Sequence, residues 1–228
     1  MYPNTLQEQA YQAIRKKIIY CEFEPRRKIS ENDLTDMLNI GRTPVREALI
    51  QLRQQQLVYT VPQSGTYVSL IDLHSAQNAR FVREQLERQI MMECCAKLTT
   101  RTQKVLDTIL EQQLKAIDAE DKTAFFQTDN FFHQACFEIA GRLEVWHWLN
   151  THNTHLERFR WLRLTTENLK WAPIIDEHQA LYQAIIDRNP EEANYLAAVH
   201  LHMMAKDLDP VTSVYPDYFV AQAEDNTL

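Results

Sequence analysis

The chain has 228 residues, of which 45% are hydrophobic, and a formal net charge of −7. These values are ordinary for a globular protein of one large or two small domains. No apolar run approaches the ~20 residues that a membrane-spanning helix needs, and the N-terminus lacks the apolar core of a secretory signal. Only three glycines argue against glycine-rich phosphate loops. Four cysteines without metal or redox spacing indicate reduced thiols and a cytoplasmic protein.

The charge is distributed unevenly along the chain. Residues 1–75 contain nine Lys/Arg and eight Asp/Glu, a net charge of +1, which leaves −8 for the remainder. The positive side chains cluster at 15–17 and 26–28. A local basic face is compatible with DNA binding even in a protein that is acidic overall.

Three short helices are predicted at the start of the chain. Residues 6–20 repeat apolar side chains on one helix face. Ser30 and Asp33 form a capping-box pattern that begins a second helix. After a tight turn at 39–41, the segment Gly41–Leu52 has the apolar spacing of a third helix.

The third helix carries the candidate DNA-reading residues. Its non-apolar side holds Arg42, Thr43, Arg46 and Arg53. Arginine forks match guanine edges and phosphates, and threonine can bond to either. An ordinary amphipathic helix with a solvated charged face is the alternative for these twelve residues taken alone.

The segments that follow predict a β-hairpin. Residues 57–61 and 66–70 are β-branched, aromatic and alternating, and a turn at 62–65 separates them. A hairpin directly after a helix-turn-helix is a wing, and backbone N–H groups near Gly65 would reach the minor groove or the phosphates. Residues 1–71 are therefore predicted to form a winged helix-turn-helix DNA-binding domain.

The rest of the chain is predicted to be helical after a short hinge at 70–75. Candidate helices cover 72–98, 101–118, 121–140, 142–164, 173–188 and 190–207, and the tail from about Asp209 is predicted to be loose. The fold class is mainly α, with the N-terminal winged helix-turn-helix followed by an all-helical antiparallel bundle over 76–228.

A second group of residues in the helical part has the chemistry of a metal site. Asp129 and His133 are four residues apart, so they share one helix face in an otherwise apolar segment. Together with His178 and His200 from later helices they would suit Zn²⁺, Ni²⁺, Fe²⁺ or Mn²⁺. The alternative is a hydrogen-bonded Asp–His pair without a metal, because spacing alone does not show that distant helices converge.

Other side chains offer rival ligands or a pocket. His152 and His155 form a competing pair three residues apart, and His202 could replace His200. Arg158 and Arg160 belong either to a solvated helix face or, if they point inward, to a site for an anionic ligand.

Several strings in both halves resemble one known family. IGRTPVREAL, followed by a leucine-valine pair and by SGTYV, resembles the winged helix of the GntR family of bacterial transcription regulators. VREQLE, DNFFH, EHQALYQAI and AAVHLH, in that order, resemble its all-helical effector domain of the FadR type, called FCD. The two likenesses together cover nearly all of the chain.

This resemblance implies a regulator that binds a palindromic operator as a homodimer, most simply as a repressor. A small carboxylate metabolite, such as a sugar acid, would bind in the helical domain and change operator affinity. The resemblance implies a divalent ion, with zinc the first choice, held by Asp129, His133, His178 and His200. Residues implied at the DNA are Arg42, Thr43, Arg46 and Gly65; Arg53 and Arg26 are added from their charge, and Arg83, Arg158 and Arg160 are candidates for anchoring the effector.

The chain departs from the family pattern at a few positions. Gly41 stands where the family usually has Ser or Thr, so a hydroxyl contact to phosphate is lost. Asn32 occupies a position that is often Arg. Cys21 and Arg26 stand at usual glycine positions in the loop before the second helix, where Arg26 could add a phosphate contact.

Two other functions compete with the metal-containing regulator. One is a metal-dependent hydrolase or lyase, since three His and one Asp could activate water. Against it, no general base stands out near DNFFH, and an enzyme does not need a winged helix. The other is a DNA-binding protein whose helical part is only a dimerisation module, in which Asp129 and His133 would be structural.

Overall fold

Helices dominate the computed structural model. It describes residues 5–221, and at 203–205 it describes the backbone only. The chain divides into two compact units. The first consists of residues up to Ala76, a helical segment at Thr154–Leu162 and the residues from Thr212 onward. The second consists of Gln77–Asn153 and Arg163–Val211.

The first unit begins with the three predicted helices, α1 (Leu6–Ile19), α2 (Glu31–Leu38) and α3 (Arg42–Gln54). The Ser30 side chain accepts a hydrogen bond from Asp33 N, and this caps α2. Asn39 ends α2 in the left-handed region at φ 52°, which makes the tight turn into α3. The predicted helix-turn-helix is confirmed.

The apolar face of α3 is buried in the first unit. Val45, Ala48 and Leu52 are fully buried, and α3 packs against α1 and α2. Burying these side chains stabilises the helix far more than its intrinsic propensity does. The opposite face of α3 is left in solvent.

The wing is a three-stranded antiparallel sheet in the order β1-β3-β2, built from β1 (Lys28–Ile29), β2 (Val58–Val61) and β3 (Gly65–Val68). The sequence predicts the hairpin of β2 and β3 but not the short strand β1. Lys28 in β1 pairs with Tyr67 in β3. Two residues are too few to show the alternation by which a strand is recognised in sequence.

The connection at 70–75 and the C-terminal segment are hydrogen-bonded to each other within the first unit. Ile71 N donates to Tyr218 O at 2.8 Å, and Val220 N donates to Ile71 O at 2.9 Å. The chain reaches this point through α11 (Met203–Val214) and a 3₁₀ turn at Pro216–Tyr218. The prediction of a loose tail from Asp209 is therefore wrong up to residue 221, and residues 222–228 lie outside the described part.

The predicted helix 142–164 is two helices, α7 (Leu143–His152) and α8 (Thr154–Thr165). The chain leaves the helical conformation at Asn153, with ψ 23°. Asn and Thr side chains compete with the helical backbone for hydrogen bonds, which favours helix ends at both residues. The apolar spacing continues across this break and concealed it.

The Thr154–Leu162 part of α8 packs within the first unit. Glu157 forms an ion pair with Arg15 of α1, and Trp161 stacks on Tyr20 with ring centroids 4.5 Å apart. Thr154 donates from Oγ1 to Gln55 O at 3.1 Å, just after α3. A helix that lies between the effector-domain strings DNFFH and EHQALYQAI in sequence thus contributes to the unit that carries α3.

The described residues of the second unit form helices joined by short connections, beginning with α4 (Leu73–Lys97), whose first residues belong to the first unit. It continues with α5 (Thr100–Asp118), α6 (Lys122–Ile139), α7, α9 (Ala172–Ile186) and α10 (Pro190–Leu201). Helix α5 packs against α6 and α9, and α9 packs against α10. These contacts bring the inner faces of α6, α9 and α10 together. Among the described residues, no helix is both long and apolar enough to cross a membrane.

Candidate metal centre and nucleic-acid interface

Three histidines from three helices converge in the interior of the second unit. His133 lies on α6, His178 on α9 and His200 on α10, and all three are buried. His200 Nε2 lies 3.3 Å from His133 Nε2 and 3.3 Å from His178 Nε2. Residues separated by up to 67 positions in sequence therefore offer their ring nitrogens to one point.

Asp129 completes the predicted set. It lies one turn before His133 on α6 and is buried. Its Oδ2 is 4.0 Å from His133 Nε2, and its Oδ1 is 3.9 Å from His178 Nε2. The structure thus brings together all four residues for which the sequence suggested a common site.

The outer nitrogen of each imidazole lies close to an oxygen acceptor, and this favours one tautomer. An acceptor at Nδ1 favours the proton on that nitrogen and leaves the Nε2 lone pair free to bind a metal. The three distances are 2.7 Å from His133 Nδ1 to Glu87 Oε2, 3.0 Å from His178 Nδ1 to Gln113 Oε1, and 2.8 Å from His200 Nδ1 to Glu177 Oε2.

Burial keeps two of these imidazoles neutral. It lowers the pKa of His133 to about 4, although the Glu87 carboxylate acts in the opposite direction. Burial also lowers the pKa of His178, and the neighbouring His200 lowers it further. Neutral rings with protonated Nδ1 atoms direct lone pairs, and not N–H groups, toward the common point.

Converging lone pairs repel one another unless a cation lies between them. Two nitrogens bound to one zinc ion at about 2.0–2.1 Å with tetrahedral angles are about 3.3–3.4 Å apart. The two Nε2 separations of 3.3 Å match that value. Three imidazoles and one carboxylate are also a donor set that suits a divalent transition ion. The residues present therefore fit a metal.

A buried ion pair supports the site from α4. Arg83 binds Glu87, and both side chains are almost completely buried. Burial alone would raise the pKa of Glu87, but the Arg83 guanidinium, together with the neighbouring His133 imidazole, outweighs it and holds that pKa well below its usual range. Counted as ionised, Asp129, Glu87 and Glu177 with Arg83 give the site a net charge of −2, which a divalent cation would neutralise.

The sequence reasoning did not identify the three acceptors behind the imidazoles. Glu87 stands four residues after Arg83, a spacing that signals a pair on one helix face but not its partner His133. Glu177 directly precedes His178 yet serves His200. Gln113 carried no signal, since it lies 65 residues from His178.

The rival ligands lie elsewhere. His202 is exposed, with Nδ1 3.8 Å from Glu84 Oε2, so His200 and not His202 faces the cluster. His155 Nδ1 accepts from Asp72 N at 3.1 Å in the first unit. His152 Nδ1 lies 2.8 Å from Trp148 O on the same exposed turn of α7.

The three arginines suggested as anchors for the effector do not all belong to the same unit. Arg83 belongs to the second unit, beside the Glu87–His133 contact, and its Nη2 is buried without a hydrogen-bond partner among the described residues. Arg158 and Arg160 belong to the first unit. Arg158 is completely buried there, next to Cys21.

The predicted DNA-contacting residues of α3 are exposed on the surface of the first unit. Arg42 and Thr43 occupy its first turn, after a Gly41 N-cap that makes no side-chain capping bond. Arg46 and Arg53 line a surface cleft together with Thr60 and Thr66, which project from β2 and β3. The exposed side of the helix and the wing thus line one cleft, to which the apolar Leu49 and Ile50 also contribute.

Arg46 is oriented on this surface by Glu31 at the start of α2. Its Nη2 donates to Glu31 Oε2 at 3.1 Å and its Nε donates to Oε1 at 3.3 Å. Both side chains are exposed. A two-point contact of this kind holds the guanidinium plane in a defined direction without burying it.

The two predicted contacts outside α3 lie at the wing. Gly65 begins β3 with φ 141°, a conformation that other residues rarely adopt. Arg26 has φ 66°, and its backbone N donates to Val68 O at 2.8 Å, which leaves its side chain exposed beside the sheet.

Comparison with known proteins gives concordant results. Residues 6–68 match the bacterial regulatory proteins of the gntR family, and residues 79–203 match the FCD domain. An uncharacterized HTH-type transcriptional regulator in an unstable DNA locus of Streptomyces ambofaciens is 30% identical over 93% of this chain and 89% of its own. The HTH-type transcriptional repressor RspR of Escherichia coli is 25% identical over 93% of this chain and 92% of its own. The solved structure of E. coli McbR/YncC, at 16% identity, covers 92% of this chain and 99% of its own with a TM-score of 0.79, a likeness of fold.

Proposed function

This chain belongs to the GntR family of bacterial transcription regulators, with an FCD effector domain, and we propose that a small carboxylate bound at a divalent metal in that domain controls its affinity for an operator. The protein is a DNA-binding transcription regulator and not an enzyme. The steps beyond this, from the metal to the effector and the operator, are the proposal.

The convergence of three Nε2 lone pairs on one buried point carries the proposal. Asp129, His133, His178 and His200 would hold the ion, with zinc the first choice and nickel, iron or manganese the alternatives. The bound metal would supply a Lewis-acidic position for an effector carboxylate. Glu87, Gln113 and Glu177 would keep the imidazoles in the tautomer that binds it.

Arg83 is the proposed second anchor for the effector. Its Nε is engaged by Glu87, while its Nη2 is buried and has no hydrogen-bond partner among the described residues. Arginine binds carboxylates through two parallel hydrogen bonds when both donors are free, and through one when only one is available. A sugar acid or a related organic acid, with a carboxylate and further polar groups, has the chemistry that this arrangement would recognise.

At the operator, we propose contacts from α3 and the wing. Arg42, Thr43, Arg46 and Arg53 would enter the major groove or bind the flanking phosphates, with Arg26 and the Gly65 backbone at the adjacent phosphates. A homodimer would place two α3 helices in successive major grooves about 34 Å apart on a palindromic site. Phosphate contacts would make the binding strongly salt-dependent.

Repression is the proposed outcome of operator binding, because the relative RspR is named a repressor. Effector binding in the second unit and operator binding in the first would be linked, so that each changes the affinity of the other by the same factor. The alternative, a helical part without metal or ligand, predicts the same DNA binding but leaves the converging imidazoles without a role.

Metal content distinguishes these two possibilities. Wild-type protein purified without chelator is expected to carry about one divalent ion per chain, measured by elemental analysis. His178→Ala is expected to lose most of it, whereas His202→Ala, which removes an exposed histidine outside the cluster, is expected to retain it. Wild-type protein without a divalent metal would contradict the proposed site, as would a folded His178→Ala variant with full metal content.

A further inference from the structure

Arg158 on α8 is a buried cation for which the described residues provide no counter-ion. Its side chain is completely buried, and none of its three guanidinium nitrogens has a hydrogen-bond partner among the described residues. The Cys21 thiol is the neighbouring group that acts on the pKa of Arg158. The Arg158 charge in turn lowers the pKa of His155. All three residues belong to the first unit.

This arrangement is unusual, because buried charged groups in proteins are ordinarily paired. Burial lowers the pKa of Arg158 because a charge is less stable in the protein interior than in water. An arginine side chain nevertheless stays protonated. The nearby carboxylates are engaged elsewhere: Glu157 binds Arg15, and Asp72 accepts from His74 N and Ser75 Oγ. Glu24, whose charge acts on Cys21, is hydrogen-bonded to Tyr218. A negative charge placed beside Arg158 would therefore be stabilised.

Cys21 is the side chain that faces this cation. It is a free thiol, only partly buried, and it follows the end of α1. Burial raises the pKa of Cys21 although Arg158 acts in the opposite direction, so the thiol is protonated at neutral pH and offers Arg158 no charge. Its backbone lies in the left-handed region at φ 52°, where a side chain carries a conformational cost that glycine avoids.

The other cysteines provide an internal contrast. Cys94, Cys95 and Cys136 are all buried. The Cys94 thiol donates to Cys136 O at 3.2 Å, and the Cys95 thiol donates to Met91 O at 3.3 Å. Cys21 is therefore the least buried of the four cysteines, and it is also the one beside the Arg158 guanidinium, which has no hydrogen-bond partner among the described residues.

We propose that Cys21 is an oxidation site at which a hydroperoxide converts the thiol to a sulfenic acid, and that the Arg158 guanidinium holds the resulting anion. The sulfur attacks one peroxide oxygen, so an S–O bond forms and the O–O bond breaks. Sulfur loses two electrons and the peroxide gains them. The departing oxygen takes the thiol proton and leaves as water, or as an alcohol when the oxidant is an organic hydroperoxide. The sulfenic acid then releases its proton to solvent, and the sulfenate that remains accepts charge-assisted hydrogen bonds from Arg158 and joins the loop after α1 to α8.

Site-resolved trapping tests where the chain oxidises. Protein treated with hydrogen peroxide and a cyclic dione that captures sulfenic acids is digested, and the label at each cysteine is measured by mass spectrometry. We expect labelling at Cys21 to exceed that at Cys94, Cys95 and Cys136 severalfold. Arg158→Met is expected to reduce the Cys21 label severalfold, whereas Arg101→Met, at an exposed site, should leave it unchanged. Equal labelling of the four cysteines, or an Arg158→Met protein that labels like wild type, would overturn the proposal.

A second experiment tests, without peroxide, whether Arg158 stabilises a negative charge at position 21. Cys21→Asp places a carboxylate beside Arg158, and Cys21→Asn has nearly the same shape and a similar tolerance of the left-handed conformation. The Asp variant is expected to have the higher melting temperature, and the difference is expected to vanish when Arg158→Lys or Arg158→Met is added. Equal melting temperatures for the Asp and Asn variants would show that Arg158 does not accept an anion at this position.

Discussion

Replacing Arg46 with alanine is expected to weaken operator binding about tenfold or more, the usual loss when an arginine that reads a base is removed. The structure gives the reason. Arg46 projects from the exposed side of α3, and Glu31 holds its guanidinium plane over the cleft between α3 and the wing. A titration of labelled operator duplex measures the effect, and a non-specific duplex of equal length separates base reading from phosphate binding.

Two variants control for charge in this experiment. Arg46→Lys keeps the positive charge but lacks the planar fork, so it is expected to recover non-specific binding better than operator binding. Arg101→Ala removes an exposed arginine from α5 and is expected to bind like wild type. If Arg46→Ala bound the operator with wild-type affinity, the assigned role of Arg46 would be wrong.

Glu87→Ala is expected to have the largest effect on stability. Glu87 is the partner of the buried Arg83 and faces His133 Nδ1 at 2.7 Å. Its removal leaves a guanidinium charge uncompensated in the interior, which typically destabilises a protein by about 3–5 kcal/mol. Urea unfolding of metal-free protein, followed by circular dichroism, measures this loss without a contribution from the metal.

Glu87→Gln is the matched variant, because it keeps the shape and one acceptor oxygen while it removes the charge. Outer partners of metal-binding histidines commonly change metal affinity by about 10–100-fold when they are replaced. We therefore expect weaker metal binding in Glu87→Gln, measured by competition with a chelator. A Glu87→Ala protein with wild-type stability and wild-type metal affinity would show that this ion pair does not support the site.

The parts of the fold that depend on local signals were predictable from the sequence. Ser30 caps α2, Asn39 makes the tight turn, and the alternating residues around Gly65 form the hairpin. The signals fail where structure depends on distant partners. Lys28 becomes a strand residue only because Tyr67 pairs with it, and the segment after Asp209 is ordered partly by Ile71.

The candidate metal site follows the same division. Asp129 and His133 could be recognised as one pair because four residues are one helical turn. No spacing rule connects His178 or His200 to that pair. Their residue type made them candidates, and the resemblance to a known family supported placing all four in one site. Glu87 and Gln113 were missed because their role exists only after α4, α5, α6 and α9 have packed together.

The most direct test of the central proposal is an operator titration with and without an organic acid that a thermal-shift screen has shown to bind the metal-loaded protein. We expect the acid to change operator affinity by roughly five- to 150-fold, the usual range of coupling between two sites. The change should disappear in His178→Ala and persist in His202→Ala. Unchanged operator affinity for every acid that binds the protein would contradict the proposal.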